Sequence, residues 1–188
     1  MFRLQEPLAD RERQLLADLR HWMAAQSALC VAYSGGVDST LVAAMAYEAK
    51  GDAALAVTGV SPALAPHLLR EARNQASWIG IAHRECATAE LNDPDYSSNP
   101  VDRCFACKRE LHHHLQPIAA AAGDALVIDG VNLDDLGDHQ GITRSRGNVL
   151  KVVVQFTLAG KTAIHRVAAV VGVAQLSRCT LPMRNADP

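Results

Sequence analysis

Apolar and polar positions change along the chain in blocks whose lengths suit short buried strands and amphipathic helices. Large apolar residues recur at helical spacing over residues 8–26, which predicts a helix with one covered face. Short apolar runs predict strands at 29–33, 53–58 and 125–129, and the more polar stretch 81–86 is a plausible further strand. The helices between them are predicted to stop near Gly51 and Gly80. This alternation is typical of an open, doubly wound, mostly parallel α/β sheet with helices on both faces.

The first predicted strand runs into a glycine-rich turn that opens an alanine-rich helix. Ser34, Gly35 and Gly36 allow the backbone to bend so that consecutive N–H groups point into one concavity. Ser39 and Thr40 add hydroxyl donors at the helix start, where unpaired N–H groups already favour a negative charge. The turn has neither the lysine of a Walker A loop nor the three-glycine spacing of a dinucleotide fingerprint. It therefore predicts a phosphate-binding loop of another kind.

An acidic residue in this loop indicates a cation. A carboxylate beside phosphates is repelled unless a cation such as Mg²⁺ lies between them, so Asp38 is predicted to bind Mg²⁺. The alternative is an aspartate that only caps the helix. The predicted nucleotide contacts of the loop are Ser34, Gly35, Gly36, Val37, Asp38 and Ser39.

Two further strand ends carry candidate ligand contacts, because loops at the carboxyl ends of neighbouring parallel strands meet at the ligand. Thr58 ends the second strand and is a candidate for contacting adenine or ribose, although an ordinary connector explains it equally well. Residues 129–138 follow the fourth strand and hold four carboxylates, which suits Mg²⁺ or a polar substrate. Asp129 and Asn132 are the preferred ligand contacts there, and Asp135 is the preferred additional metal ligand.

The five cysteines argue for thiols with chemical or metal-binding roles rather than a disulfide framework. Cys104 and Cys107 form a lone Cys-x-x-Cys, which suits a redox pair, half a zinc site or part of an iron–sulfur site. The histidines at 112–114 follow closely, and a solvated helix face explains them better than a zinc site. Cys30 and Cys86 lie in apolar runs and are predicted to be packing residues.

Composition narrows the class of protein. With 188 residues and 49% hydrophobic composition, the chain suits one substantial core. A net charge of −2 gives no electrostatic footprint for nucleic acid. The N-terminus has no signal-peptide pattern, and no apolar run approaches the ~18 residues of a membrane span. We therefore expect a cytoplasmic protein that acts on a small molecule, without a membrane or nucleic acid as partner.

Three motifs in order, at residues 34–39, 99–108 and 129–138, resemble the ATP-dependent sacrificial sulfur transferases of the LarE type. The first motif, Ser-Gly-Gly-Val-Asp-Ser, is similar to that of the wider superfamily of pyrophosphate-loop ATP pyrophosphatases, which have an adenine nucleotide alpha hydrolase-like fold. The resemblance implies ATP and Mg²⁺ as cofactors and a pyridinium carboxylate mononucleotide as substrate, in nickel-pincer cofactor biosynthesis. ATP would adenylate its carboxylate with release of pyrophosphate, and sulfur would then be inserted.

The same resemblance implies two routes for the sulfur. In many members a cysteine in the C-terminal part gives up its sulfur and becomes dehydroalanine. Others resemble iron–sulfur proteins, in which a Cys-x-x-Cys and a third cysteine hold a cluster whose extra sulfide is transferred. Cys104, Cys107 and Cys179 are the matching catalytic candidates here.

The C-terminal part departs from the family pattern, since the segment around Cys179 does not reproduce the motif of the donor cysteine. We expect an ATP-binding domain over residues 1–147 and a divergent extension of it over 148–188, with a fifth strand at 149–154 and a helix at 162–171. The family's second domain, which helps to bind substrate and build oligomers, would be missing, as in a C-terminally truncated copy. The sequence leaves open whether the chain forms a homo-oligomer.

Several other functions fit parts of the same pattern. One is an inactive ATP-binding remnant that binds Mg·ATP without turnover. Others are pyrophosphate-loop enzymes of different specificity, such as a tRNA thiolase or an amidating enzyme similar to NAD synthetase. The acidic net charge disfavours tRNA, because neutralising its phosphates requires clustered lysine and arginine.

Overall fold

The computed structural model of the chain describes residues 9–89 and 103–130. Eight principal elements follow in order within this part: α1 (Asp10–Ala24), β1 (Leu29–Ala32), α2 (Val37–Lys50), β2 (Ala54–Val60), α3 (Pro66–Ile79), β3 (Ala82–Ala87), α4 (Arg103–Ala121) and β4 (Leu126–Asp129). A short 3₁₀ turn, Gly51–Ala53, joins α2 to β2. Each strand lies within two residues of its predicted position. The predicted strand at 149–154 and helix at 162–171 lie outside the described residues.

The four strands form one parallel sheet in the order β3-β2-β1-β4. The chain moves outward from β1 through β2 to β3, and then crosses back to place β4 on the other side of β1. Ala32, at the end of β1, lies opposite Val57 on one side and Asp129 on the other. The carboxyl ends of β1 and β4 therefore flank a point where the strand order reverses, which is where open α/β sheets bind ligands.

Side chains alternate between the two faces of β1, because successive residues of a strand point to opposite sides. Leu29 and Val31 pack into the core formed with α1, α2 and α3. Cys30 and Ala32 pack into a second core that contains Leu115 of α4. Helices thus cover both faces of the sheet, and the predicted fold class is confirmed. Within the described ranges, no helix is both long and apolar enough to cross a bilayer.

Two helix ends show why the predicted boundaries fit. Pro66 occupies the first turn of α3, where its missing N–H needs no acceptor. Gly80 ends the same helix with a φ of 87°, a left-handed conformation that glycine adopts without strain. α1 ends at Ala24, slightly before the predicted limit at residue 26.

Candidate functional site

The loop between β1 and α2 leaves the sheet at the carboxyl edge. The Tyr33 N–H still donates to the Val57 carbonyl at 2.8 Å, so strand pairing ends there. Gly35 then adopts a φ of +76°, and a Cβ on it would lie 3.0 Å from the Cα of Ala72 in α3. Glycine is required at this position both by backbone conformation and by close packing against a neighbouring helix.

Two serine hydroxyls hold the loop in its curved form. Ser39 Oγ donates to the Gly36 carbonyl at 3.1 Å, so the 3.0 Å bond between the two hydroxyls has Ser34 Oγ as its donor. Ser34 Oγ in turn accepts from the Gly36 N–H at 3.2 Å. Ser34 and Gly36 are exposed, whereas Ser39 is buried. The loop therefore presents a preformed surface beside the first-turn N–H groups of α2, which a helix leaves without intrahelical acceptors.

Thr40 follows the loop, and its hydroxyl is not part of this surface. It is fully buried and donates to Gln75 Oε1 of α3 at 2.7 Å. The expectation that Thr40 adds a hydroxyl donor for an anion is therefore wrong. The Thr40 hydroxyl donates to the buried Gln75 instead, and the sequence around the loop does not reveal this partner.

Asp38 lies in the first turn of α2 and is half-buried, with less than 1 Å² of its Oδ1 exposed. A carboxylate at this place suits Mg²⁺, which binds through one or two carboxylates together with phosphate oxygens and several waters. Mg²⁺ held there would neutralise charge on the phosphates. The other predicted metal ligand, Asp135, lies outside the described residues, as does Asn132.

The exit of β4 runs directly against the first turn of α2. A Cβ on Gly130 would lie 2.8 Å from the Ser39 backbone nitrogen and 2.9 Å from the Asp38 carbonyl carbon. Asp129 precedes it, opposite Ala32 of β1. The structure thus brings Asp129 next to the loop, as the sequence predicts, and it adds Gly130 as a residue whose lack of a side chain permits this approach.

A histidine that sequence reasoning assigned to a solvated surface belongs to the same end of the sheet. His112 of α4 has a side chain only 12% exposed, and its Nε2 lies 3.7 Å from Asp129 Oδ2. His113 is exposed, and His114 lies 3.0 Å from Glu110, so the solvated-face expectation holds for those neighbours only. The signal for His112 was the stripe 112, 115 and 119, since the other two positions are buried apolar residues.

Thr58 lies two residues before the end of β2, and its buried hydroxyl already has hydrogen-bond partners within the protein. It donates to the Tyr33 carbonyl at 2.8 Å, so the contact with His83 Nε2 at 2.8 Å requires the histidine to be the donor. Tyr33 and His83 also meet edge to face, with ring centroids 5.6 Å apart. The Thr58 hydroxyl therefore supports the backbone that leads into the loop, and contact of Thr58 with a nucleotide stays a prediction.

We expect the free energy of unfolding to fall as pH falls below 6.5, the ordinary pKa of histidine. Burial lowers the pKa of His83, with a smaller opposing effect of Glu85. The unfolded chain then takes up a proton that folded His83 refuses, so stability decreases on acidification. Urea unfolding between about pH 7.5 and pH 5.5 measures this slope. His83→Gln, which keeps an N–H donor, should flatten it; an unchanged slope in this variant would contradict the assignment.

The cysteines whose side chains the structure describes, Cys30 and Cys86, are not the ones predicted to be catalytic. Burial raises the pKa of Cys30 to about 11 and also raises the pKa of Cys86, so both remain protonated thiols near neutral pH and suit packing. Cys104 and Cys107 lie in the first turns of α4, but their side chains are outside the described part of the chain. Cys179 is likewise outside it.

Comparison with known proteins supports the resemblance. No protein-family model matches the chain. It is 27% identical over 182 residues to pyridinium-3,5-bisthiocarboxylic acid mononucleotide synthase of Lactiplantibacillus plantarum, covering 94% of this chain and 64% of that protein. The chain is thus similar in sequence to that synthase over almost its whole length. The resemblance drawn from the three motifs is thereby confirmed.

A second relative and two solved structures extend this finding. An uncharacterized protein of Synechocystis sp. is 52% identical over 125 residues, 66% of this chain and 47% of its own length. The chain thus spans about half to two thirds of the length of the two relatives. Glutamine-dependent NAD⁺ synthetase from Acinetobacter baumannii, in complex with ADP, has a TM-score of 0.69 at 17% identity, covering 96% of this chain and 38% of that one.

NMN synthetase from Francisella tularensis has the same TM-score at 14% identity, covering 94% of this chain and 76% of that one. At these identities the two likenesses show the fold alone.

Proposed function

We propose that the chain is an ATP-dependent sulfur transferase that adenylates a carboxylate of a pyridinium carboxylate mononucleotide and then inserts sulfur, in nickel-pincer cofactor biosynthesis. The observation that carries the proposal is the preformed loop at 34–39 with Gly130 packed against it. Both lie at the edge of the sheet where the paired strands β1 and β4 end side by side. The relatedness to a synthase of a pyridinium bisthiocarboxylic acid mononucleotide supports the choice of substrate.

The loop residues have a defined part in the first step. A substrate carboxylate oxygen attacks the α-phosphorus of ATP, and pyrophosphate leaves with the bonding electrons. The N–H groups of the first turn of α2, together with loop N–H groups other than those that donate to Ser34 Oγ and Ser39 Oγ, bind the pyrophosphate oxygens and stabilise their developing charge. Asp38, and Asp135 as the predicted second ligand, would hold Mg²⁺ against the same oxygens. The product is an acyl adenylate, whose leaving group is AMP.

In the second step a cysteine sulfur attacks the acyl carbon and AMP leaves. Breaking the Cβ–S bond of that cysteine by β-elimination then gives a thiocarboxylate on the substrate and dehydroalanine in the protein. Cys179 is the proposed donor for this route. In the cluster route, Cys104, Cys107 and Cys179 would instead hold an iron–sulfur cluster, and that group would supply sulfide as the sulfur source in place of a cysteine thiol. We assign the ATP-binding domain to residues 1–147 and the divergent extension to 148–188.

Both steps are tested by incubating the protein with Mg·ATP and pyridinium-3,5-dicarboxylic acid mononucleotide and measuring pyrophosphate release and the mass of the protein. We expect pyrophosphate release that depends on the mononucleotide, followed by a mass loss equal to H₂S from the protein. Cys179→Ala should keep pyrophosphate release and lose sulfur transfer, whereas Cys86→Ala, a matched control at a packing position, should keep both.

A visible absorbance band after anaerobic purification, lost in Cys104→Ala, would favour the cluster route over the sacrificial one. Binding of Mg·ATP without any pyrophosphate release would contradict the proposal and identify a nucleotide-binding remnant.

A further inference from the structure

One turn of α3 touches the phosphate-binding loop through backbone and side chain together. The Ala72 Cα lies against Gly35, and the Ala72 carbonyl accepts a hydrogen bond from the Tyr33 hydroxyl at 3.3 Å. One turn further along α3, Gln75 is 3% exposed. Its Oε1 accepts from the Thr40 hydroxyl at 2.7 Å and lies 3.4 Å from the Tyr33 hydroxyl.

The two hydroxyl groups that meet Gln75 Oε1 belong to residues on either side of the loop in the sequence. Tyr33 is the residue immediately before the loop, and Thr40 is the residue immediately after it. A single amide oxygen on α3 therefore joins both ends of the six-residue loop 34–39. Tyr33 and Thr40 are almost completely buried, at 1% and 0% exposure. Buried polar groups of this kind hold a fixed geometry, because leaving any of them without a partner costs the full desolvation of that group.

We propose that Gln75 is a positioning residue, which fixes the curvature of the phosphate-binding loop from behind without touching the ligand. It acts on the N–H groups of the loop through Tyr33 and Thr40. The ligand in question, the pyrophosphate part of Mg·ATP, is taken from the proposed function. The effect of Gln75 on the rigidity of the loop does not depend on the identity of the ligand. The proposal for Gln75 and the proposed function can therefore fail separately.

The first test needs no ligand. Amide hydrogen exchange of residues 34–39 should be faster in Gln75→Met, which keeps the approximate length of the side chain and removes the acceptor. Ile79→Val is the matched control, because Ile79 lies in the same core at the last residue of α3, one turn beyond Gln75. Equal exchange of the loop amides in both variants, at equal loss of thermal stability, would overturn the proposal.

The second test measures affinity for Mg·ATP. Gln75→Met should weaken binding roughly tenfold, the factor expected from losing one well-formed hydrogen bond, while Ile79→Val leaves it unchanged. Thr40→Val removes one of the two hydroxyls that meet Gln75 Oε1, so the double variant Thr40→Val/Gln75→Met should bind about as weakly as Gln75→Met alone.

Additive losses in the double variant would overturn the proposal, since Gln75→Met already removes the hydrogen bond that Thr40→Val breaks. Thr40→Val also serves where Gln75→Met does not fold. If the native chain binds no Mg·ATP, the proposed function fails while the exchange experiment still decides the role of Gln75.

Discussion

Gly130→Ala will weaken Mg·ATP binding by roughly 100-fold or more. The added Cβ would lie 2.8 Å from the Ser39 nitrogen and 2.9 Å from the Asp38 carbonyl carbon, closer than such atoms approach in proteins. Both neighbours are backbone atoms of the first turn of α2, so rotating a side chain cannot relieve the overlap. Either the exit of β4 or the turn that carries the predicted phosphate-binding N–H groups must move. Isothermal titration calorimetry with Mg·ATP measures the loss.

Gly123→Ala is the control for this prediction. Gly123 has a φ of +79°, so alanine there strains the backbone, but a Cβ would meet nothing within 4 Å. We expect this variant to lose thermal stability and keep its affinity for Mg·ATP. Native affinity in Gly130→Ala would show that the ligand does not use the N–H groups beside Ser39.

Asp38→Asn will slow pyrophosphate release by roughly 100-fold or more, because the substitution keeps the size of the side chain and removes the charge that we propose binds Mg²⁺. Without that cation the negative charge developing on the leaving pyrophosphate is poorly neutralised. The measurement is pyrophosphate release with saturating Mg·ATP and the pyridinium dicarboxylate mononucleotide.

Asp52→Asn is the control, because it makes the same change of charge as Asp38→Asn at a different position. Asp52 is exposed and lies just beyond the opposite end of α2, so we expect its release rate to equal that of the native chain. A native rate in Asp38→Asn would refute the metal-binding role and leave Asp38 as an acidic residue that only interacts with the dipole at the start of α2.

Much of the fold could be read from the sequence because the relevant signals are local. Three of the strands are short apolar runs, as expected where both faces of a parallel sheet are covered by helices, whereas the edge strand β3 contains polar residues and is largely exposed. Gly51 and Gly80, which close α2 and α3, adopt positive φ angles of +54° and +87°. The loop at 34–39 was likewise predictable, since its two glycines and two serines lie within six consecutive residues.

The features that sequence reasoning missed all depend on which elements become neighbours. The need for glycine at 130 arises only because β4 pairs with β1 and therefore passes the first turn of α2. The commitment of the Thr40 hydroxyl to Gln75 joins residues 35 positions apart. His112 was misjudged because three consecutive histidines look polar, although helical geometry turns one of them toward the sheet and Asp129.

Pyrophosphate exchange decides whether this loop activates a carboxylate with ATP. Labelled pyrophosphate is incubated with the protein, Mg·ATP and the pyridinium dicarboxylate mononucleotide, and label is followed into ATP. We expect label in ATP only when the mononucleotide and Mg²⁺ are both present, with the exchange lost in Asp38→Asn and kept in Cys179→Ala. No exchange by a native protein that binds Mg·ATP and the mononucleotide would contradict adenylation.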